Sequence, residues 1–337
     1  MRFTQDLLHK FANESVKQRQ RDEPDLHAAY LTGSLLSDQP LLGSTTDIDI
    51  VLVHKYQTPV ERETKALTQE VSLDIVHKKL EDYEHYRQLR QDPWMGYPLT
   101  RYHILLFDTD HWLEFLQASI NANFLKPENI LARVNTLSNA ARETWFELIQ
   151  SNFETHLSWL NRYMESLAMA ANAVCGLIGS PLTTRRFLLT FNERVKALGV
   201  PHLLAGFTGL LGFSAEEETE NSLSEWVDSL ELDYVNLQET SNLPPHLSRC
   251  RQAYYMNAIR ALIQSGDPKQ ALWPILRIWL DIQLLAGQSS QNSQVWENCL
   301  SKLNLTEMQT SHKAEALDAY LDTIEVVIES WSTAYGI

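Results

Sequence analysis

Two aspartates separated by one residue lie inside an apolar run near the N-terminus. Asp47 and Asp49 alternate with Ile48 and Ile50, and the run continues through residues 51–53 as Val-Leu-Val. Alternate side chains of a β-strand point to the same face, so both carboxylates would project together. Adjacent carboxylates repel each other, and burying them without a partner is costly. A divalent cation between them resolves the conflict, so the pattern predicts a metal-dependent site.

The acidic pair lies within a longer order of strands. Residues 27–31 predict a first strand, which ends in the turn Gly33-Ser34, and twelve residues then separate Ser34 from Asp47. A third acid, Asp74, is embedded in the apolar run 71–76, which predicts a further strand. The sequence therefore predicts three acids carried by two strands behind a glycine turn.

The remaining periodicity divides the chain in two. Up to residue 125 helices alternate with strands; the spacing predicts helices at 6–19, 59–69, 80–90 and 111–118 and a fourth strand at 101–107. From residue 126 onward only helical patterns remain; they fall at 130–151, 153–174, 183–197, 222–235, 245–264, 268–286, 293–302 and 314–331. We therefore predict an α/β domain at 1–125 and an all-helical domain at 126–337.

The ordered set of motifs resembles a known superfamily. Gly33-Ser34, Asp47-Ile48-Asp49 and the lone Asp74 are similar in order and setting to the nucleotidyltransferases related to DNA polymerase β. The pattern is closest to the aminoglycoside and minimal nucleotidyltransferases with a C-terminal helical domain, and it covers about the first 120 residues. The resemblance implies an α+β fold, with a small mixed β-sheet nucleotidyltransferase core followed by an all-α helical-bundle domain on the substrate side.

The resemblance also implies roles for individual residues. Asp47 and Asp49 would ligate two Mg²⁺ ions, and Asp74 would complete one metal site and act as general base toward the acceptor hydroxyl. Gly33 and Ser34 would approach the nucleotide phosphates. Lys55, in the strand-end pair His54-Lys55, is a further candidate for nucleotide binding, although such a pair is also typical of an exposed strand end.

Charge narrows the expected partners. The chain carries 28 Lys and Arg against 43 Asp and Glu, for a formal net charge of −15. This balance disfavours nucleic acid, whose binding sites are usually basic. No Lys or Arg occurs between Lys196 and Arg249, and the acidic stretch there could attract a cationic acceptor or form a solvated helical face.

Two further features indicate the compartment. The three cysteines (Cys175, Cys250 and Cys299) form no CxxC pair, which is typical of a reducing cytosol. The N-terminus has no apolar signal segment behind a basic start, and no apolar run is long enough to span a bilayer. We therefore expect a cytoplasmic protein with no membrane partner, and a homodimer stays open.

The sequence predicts an enzyme that transfers a nucleoside monophosphate from ATP or another NTP to a hydroxyl of a small molecule. An aminoglycoside-like cationic acceptor, and with it antibiotic resistance, fits the acidic stretch. Protein AMPylation, nucleotide addition to RNA and a non-catalytic, antitoxin-like nucleotide-binding module are the alternatives. A fused helical ribonuclease of the HEPN type is disfavoured because its pattern of Arg, four to six residues and then His occurs in the polar lead-in at Arg21 to His27 and nowhere in the helical part.

Overall fold

The computed structural model describes residues 3–37, 39–101, 104–213, 217–240, 243–286 and 293–337. Its class is α+β, as predicted, with one five-stranded mixed sheet and a helical region. The chain divides into two compact units, one of Met1–Lys126 with Asn242–Ala258 and one of Pro127–Ser241 with Ile259–Ile337. Residues 242–258 therefore group with the sheet, whereas the sequence placed them in the helical part.

The sheet of the first unit is built from five strands. They are β1 (Leu26–Thr32), β2 (Thr46–His54), β3 (Arg62–Ala66), β4 (Val71–Lys79) and β5 (Leu105–Asp108). Their order across the sheet is β3-β4-β2-β1-β5. β2 and β4 are parallel, and every other neighbouring pair is antiparallel. Tyr102 and His103 of the predicted fourth strand lie outside the described residues.

β2 and β4 form the centre of the sheet because both are rich in Ile, Val and Leu. Ile48 and Leu52 on one face of β2 and Val53 on the other are almost fully buried, as strands covered on both faces require. The register pairs Asp49 with Asp74 directly across the two strands. Paired residues share a face of the sheet, so the predicted acids all project to one side.

The predicted helix at residues 59–69 is wrong. The segment contains β3, which pairs antiparallel with β4 at the edge of the sheet. Its Glu, Lys and Ala residues favour a helix in isolation, but pairing with an open neighbouring strand outweighs so weak a preference. The strand places Thr64 opposite Asp74 and Arg62 two pairs further along, on the same face.

Helices pack against the sheet and extend the first unit. α1 (Gln5–Asp22) begins behind the cap Thr4 and buries Leu8, Ala12 and Val16. The segment predicted as one helix over 80–90 forms a 3₁₀ turn at Leu80–Tyr83 and then α2 (Tyr86–Gln91). The short α3 (Gly96–Leu99) and α4 (Trp112–Asn121) follow.

The rest of the chain is helical, as its periodicity predicts. The helices are α5 (Pro127–Gln150), α6 (His156–Gly176), α7 (Phe187–Ala197), α8 (His202–Leu210), α9 (Glu217–Leu237), α10 (Gln252–Gln264), α11 (Leu272–Ala286), α12 (Ser293–Lys302) and α13 (Thr310–Tyr335). α8 had not been predicted. Among the described residues, no helix combines the length and apolarity that a bilayer crossing requires.

Three tryptophans belong to the hydrophobic core of the second unit. Trp226 and Trp279 are almost fully buried, and the Trp279 indole N–H donates to Asp233 Oδ2 at 2.8 Å. Trp273 stacks on Phe187 with ring centroids 4.1 Å apart. Packing therefore accounts for these side chains.

The contribution of a buried tyrosine pair to the stability of the first unit can be tested by substitution. The hydroxyls of Tyr30 in β1 and Tyr83 lie 2.9 Å apart, and both side chains are buried. Tyr83→Phe leaves the Tyr30 hydroxyl without its partner, so we expect a loss of about 1–3 kcal/mol in the free energy of unfolding. The double variant Tyr30→Phe/Tyr83→Phe removes both polar groups and should recover much of that loss in urea denaturation. A double variant as unstable as the sum of the two single variants would contradict this view.

Candidate active site

Three carboxylates converge on one face of the sheet. Asp47 and Asp49 project from β2 and Asp74 from β4, and each offers an oxygen that lies within 4.8 Å of the others. Asp47 and Asp74 are buried, whereas Asp49 is partly exposed. The structure therefore brings together the three acids that the sequence selected, and it does so through the parallel pairing of β2 with β4.

Two arginines neutralise part of this charge. The Arg62 Nε and Nη2 atoms donate to Asp74 Oδ1 and Oδ2 at 2.7 and 2.6 Å. Arg251 Nη1 donates to Asp47 Oδ2 at 2.7 Å, and its Nη2 donates to Asp74 Oδ2 at 2.9 Å. The Arg251 side chain is only 5% exposed. Arg251 thus bridges two of the three carboxylates from within the site.

Residues around Arg251 hold it in this position. Its guanidinium carbon lies 4.2 Å from the ring centroid of Tyr254 and 5.7 Å from that of Tyr255, distances typical of cation–π contacts. The hydroxyls of Ser248 and Thr64 are 2.7 Å apart and tie the same segment to β3. Burial opposes the charge of Arg251, but the Asp47 carboxylate and its other neighbours hold its pKa above the usual range.

Asp49 carries the charge that the arginines do not balance. Within the described part of the chain, it accepts no hydrogen bond from either arginine. Although part of Asp49 is exposed, the surrounding protein desolvates its carboxylate and raises its pKa well above the usual range, and the neighbouring charges of Asp47 and Asp74 raise it further. Three carboxylates against two guanidiniums leave one negative charge in excess. Carboxylate oxygens are the kind of ligand that Mg²⁺ prefers in proteins.

Gly33 lies directly beside Asp49. Its φ is +71°, and a Cβ atom built on it would fall 1.7 Å from Asp49 Oδ2. Glycine is therefore required here both for the left-handed backbone and for the room that the Asp49 carboxylate occupies. Ser34 follows in the 3₁₀ turn Gly33–Leu36, where its hydroxyl lies 3.3 Å from Thr46 Oγ1. The structure places Gly33 beside the Asp49 carboxylate and Ser34 beside Thr46, the residue before Asp47; their contact with phosphate stays a prediction.

Lys55 is not part of this group. It follows the end of β2 and is exposed, six residues beyond Asp49. At about 3.3 Å per residue of strand, this separates the two Cα atoms by roughly 20 Å. Its backbone N–H donates to the Asp25 carbonyl. Lys55 therefore lies apart from the three carboxylates along β2, and its role in nucleotide binding stays a prediction.

Sequence reasoning missed both arginines. Arg62 lay in a segment predicted to be helical, and no local pattern linked Arg251 to acids some two hundred residues earlier. The only signal was that Arg249 and Arg251 end the long stretch without basic residues. Two arginines of the helical part have other partners: Arg260 pairs with Glu231, and Arg277 pairs with Asp281.

No protein-family model matches the chain, and no curated protein matches its sequence. The residues of the site define its chemistry. It contains carboxylate oxygens that suit a hard divalent cation, two guanidinium groups that pair with anions, and a glycine whose missing side chain lets the backbone approach one carboxylate.

The close approach of Gly33 and Asp49 can be tested by adding a methyl group. Gly33→Ala places Cβ against the Asp49 carboxylate in a left-handed backbone, so we expect it to lower the free energy of unfolding by more than the ~1–2 kcal/mol of left-handed strain alone. Gly199→Ala is the matched control, because Gly199 has φ +75° and its Cβ would meet nothing within 4 Å. The double variant Gly33→Ala/Asp49→Ala removes the carboxylate and leaves only the residue 49 Cβ, 3.0 Å from the added methyl, so it should recover most of the loss beyond the control in denaturant unfolding. Equal losses for the two single variants would contradict the predicted clash.

The raised pKa of Asp49 predicts how stability depends on pH. A carboxyl whose pKa is higher in the folded state than its unfolded value of about 4 makes the protein less stable as pH rises through that interval. Asp49→Asn removes this charge, so in a chelating buffer it should be more stable than the wild type at pH 7, and the difference should shrink toward pH 4. Asp47→Asn is the contrast, because it deprives Arg251 of a partner and should be destabilising at pH 7. Denaturant unfolding between pH 4 and pH 7 measures the stability of both variants relative to the wild type. A gain for Asp49→Asn that does not change with pH would contradict a raised pKa of Asp49.

Proposed function

We propose that the protein is a Mg²⁺-dependent nucleotidyltransferase. It transfers a nucleoside monophosphate from an NTP, with ATP the expected donor, to a hydroxyl of a small cationic molecule and releases pyrophosphate. The observation that carries the proposal is the convergence of Asp47, Asp49 and Asp74 on one sheet face. Three acids in adjacent central strands, one of them without a cationic partner, are costly to the fold. An ordinary buried salt bridge or a surface acidic patch would not explain them.

In this proposal each acid has a distinct task. Asp47 and Asp49 hold two Mg²⁺ ions, and Asp74 helps to hold one of them while it accepts the proton of the acceptor hydroxyl. Bound Mg²⁺ supplies electrostatic stabilisation of the attacking and leaving oxygens. Asp74 is suited to this position because it faces Asp49 directly across the strands.

The arginines bear on how the substrates bind. Arg251 occupies oxygens of Asp47 and Asp74, so a metal ion and its guanidinium compete for the same ligands. An NTP brings both the metal and the anion, and the phosphate oxygens are partners for a guanidinium that leaves a carboxylate. We therefore expect productive metal binding to depend on the nucleotide.

The position of Arg251 also favours one alternative. A guanidinium held between two acids occupies oxygens that a catalytic metal ion would need, which favours a module that binds a nucleotide without turning it over. Protein AMPylation and addition to RNA have no specific support from the site. A cytoplasmic location fits the free thiols of Cys175, Cys250 and Cys299.

Pyrophosphate release tests the proposal. The full chain is incubated with Mg²⁺, each of the four NTPs and a panel of aminoglycosides, and release is followed with and without acceptor. We expect release that needs a cationic acceptor and falls more than ~100-fold in Asp47→Asn and Asp49→Asn, since loss of a ligand exceeds the 10–100-fold cost of an outer partner. Asp110→Asn is the matched control, because Asp110 is exposed and lies outside the site.

Other outcomes separate the alternatives. Transfer of labelled nucleotide to protein or RNA, without any need for a small molecule, would replace the proposed acceptor. Tight NTP binding with no release in the presence of any acceptor would favour the non-catalytic module. Release that is equal in Asp47→Asn, Asp49→Asn and Asp110→Asn would remove the carboxylates from the reaction.

A further inference from the structure

A second cluster of ligating side chains lies on the opposite face of the same sheet. It contains Glu23, which follows the end of α1, His54 at the end of β2, and His77 in β4. Each offers one ligand atom, and these atoms lie within 4.8 Å of one another. Both histidine side chains are completely buried. Strand alternation sends these histidines away from the face that carries Asp49 and Asp74.

The hydrogen bond of His77 fixes its donor atom. His77 Nε2 lies 3.0 Å from Glu63 Oε1 in β3. A carboxylate only accepts, so the Nε2 atom carries the proton and the Nδ1 atom of the neutral ring has a free lone pair. That Nδ1 atom faces His54 Nε2 at 2.9 Å. The carboxylate behind a histidine is the outer-shell partner that metal-binding imidazoles characteristically have.

Glu23 completes the arrangement from the other side. Its Oε1 atom accepts from Arg19 at 2.6 Å, whereas its Oε2 atom is buried and accepts no hydrogen bond from any described residue. Oε2 lies 3.9 Å from His54 Nε2. The far nitrogen of His54, Nδ1, lies 3.5 Å from Asp25 Oδ1 and likewise has no hydrogen bond. An unsatisfied buried carboxylate oxygen thus faces two imidazole nitrogens.

The distances match a small tetrahedral ion. Zinc bonds of about 2.0–2.1 Å place neighbouring ligand atoms roughly 3.3 Å apart. The N–N distance of 2.9 Å and the N–O distance of 3.9 Å lie on either side of that value. Two imidazoles and a carboxylate are the ligands of zinc and similar transition metals, not of Mg²⁺, which prefers oxygen ligands only.

We propose that Glu23, His54 and His77 form a site for a transition-metal ion of the zinc class, with Glu63 orienting His77. Arg19 pairs with both Glu23 and Glu63 and holds these carboxylates in place while leaving Glu23 Oε2 available. The ion would join the end of α1 to two central strands, and a fourth position would remain for water. Its expected role is to stabilise the sheet unit, independent of nucleotide chemistry on the other face.

Metal titration of the full chain tests this site. After removal of metals by chelation, Zn²⁺ is titrated by competition calorimetry, and Co²⁺ serves as a spectroscopic probe of coordination. We expect one Zn²⁺ per chain, a Co²⁺ spectrum of low coordination number, and a melting temperature that rises with Zn²⁺. His54→Gln and His77→Gln should each weaken binding more than ~100-fold, and Glu63→Gln about 10–100-fold.

Matched variants keep the result specific. His27→Gln removes a different buried strand histidine and should leave the Zn²⁺ affinity unchanged, as should Asp49→Asn on the opposite face. Glu23→Gln provides a further ligand variant if a histidine substitution prevents folding. No Zn²⁺ binding by the wild type would overturn the proposal and leave His54 and His77 as a hydrogen-bonded pair. Binding of equal strength in all the ligand variants would overturn it as well.

Discussion

Mutual repulsion among Asp47, Asp49 and Asp74 is the constraint on which the architecture of the sheet unit depends. Parallel pairing of β2 with β4 forces Asp49 and Asp74 into adjacent positions on one face. Carboxylates so placed cannot all remain charged and buried without cations nearby. The edge strand β3 supplies Arg62, and the segment 242–258 supplies Arg251. The positive charge of Arg251, which balances Asp47 and Asp74, explains why the distant segment 242–258 packs against the sheet.

The alternation of a β-strand also explains why one sheet holds two clusters of different chemistry. Along β2 the odd-numbered positions place carboxylates on one face, and the even-numbered positions end with His54 on the other. The first cluster contains only hard oxygen ligands, whereas the second combines imidazoles with one carboxylate. Ligand type therefore separates the two clusters by the metals that each would select, even though they share the same strands.

The parts that could be predicted from the sequence are those set by neighbouring residues. The β-branched runs of β2 and β4 predict central strands, and a period of two predicts that Asp47 and Asp49 share a face. β3 could not be predicted because its composition favours a helix and only the pairing with β4 makes it a strand. The role of Arg251 could not be predicted either, since Asp47 and Asp74, with which it pairs, are distant in sequence. The strand-end histidines resembled exposed residues because burial by α1 is a tertiary effect.

The ion pairs of Arg251 determine how the carboxylates can serve a reaction. A buried ion pair contributes little net stability because desolvation offsets the attraction, yet removing one partner without replacement costs about 3–5 kcal/mol. Exchange of Arg251 for a divalent cation is therefore feasible only if the freed guanidinium finds another anion. On the proposed function, the triphosphate that carries Mg²⁺ is that anion, and Tyr254 and Tyr255 keep the guanidinium nearby. The same arginine that makes the site stable without a cation would then favour metal binding only when a nucleotide accompanies it.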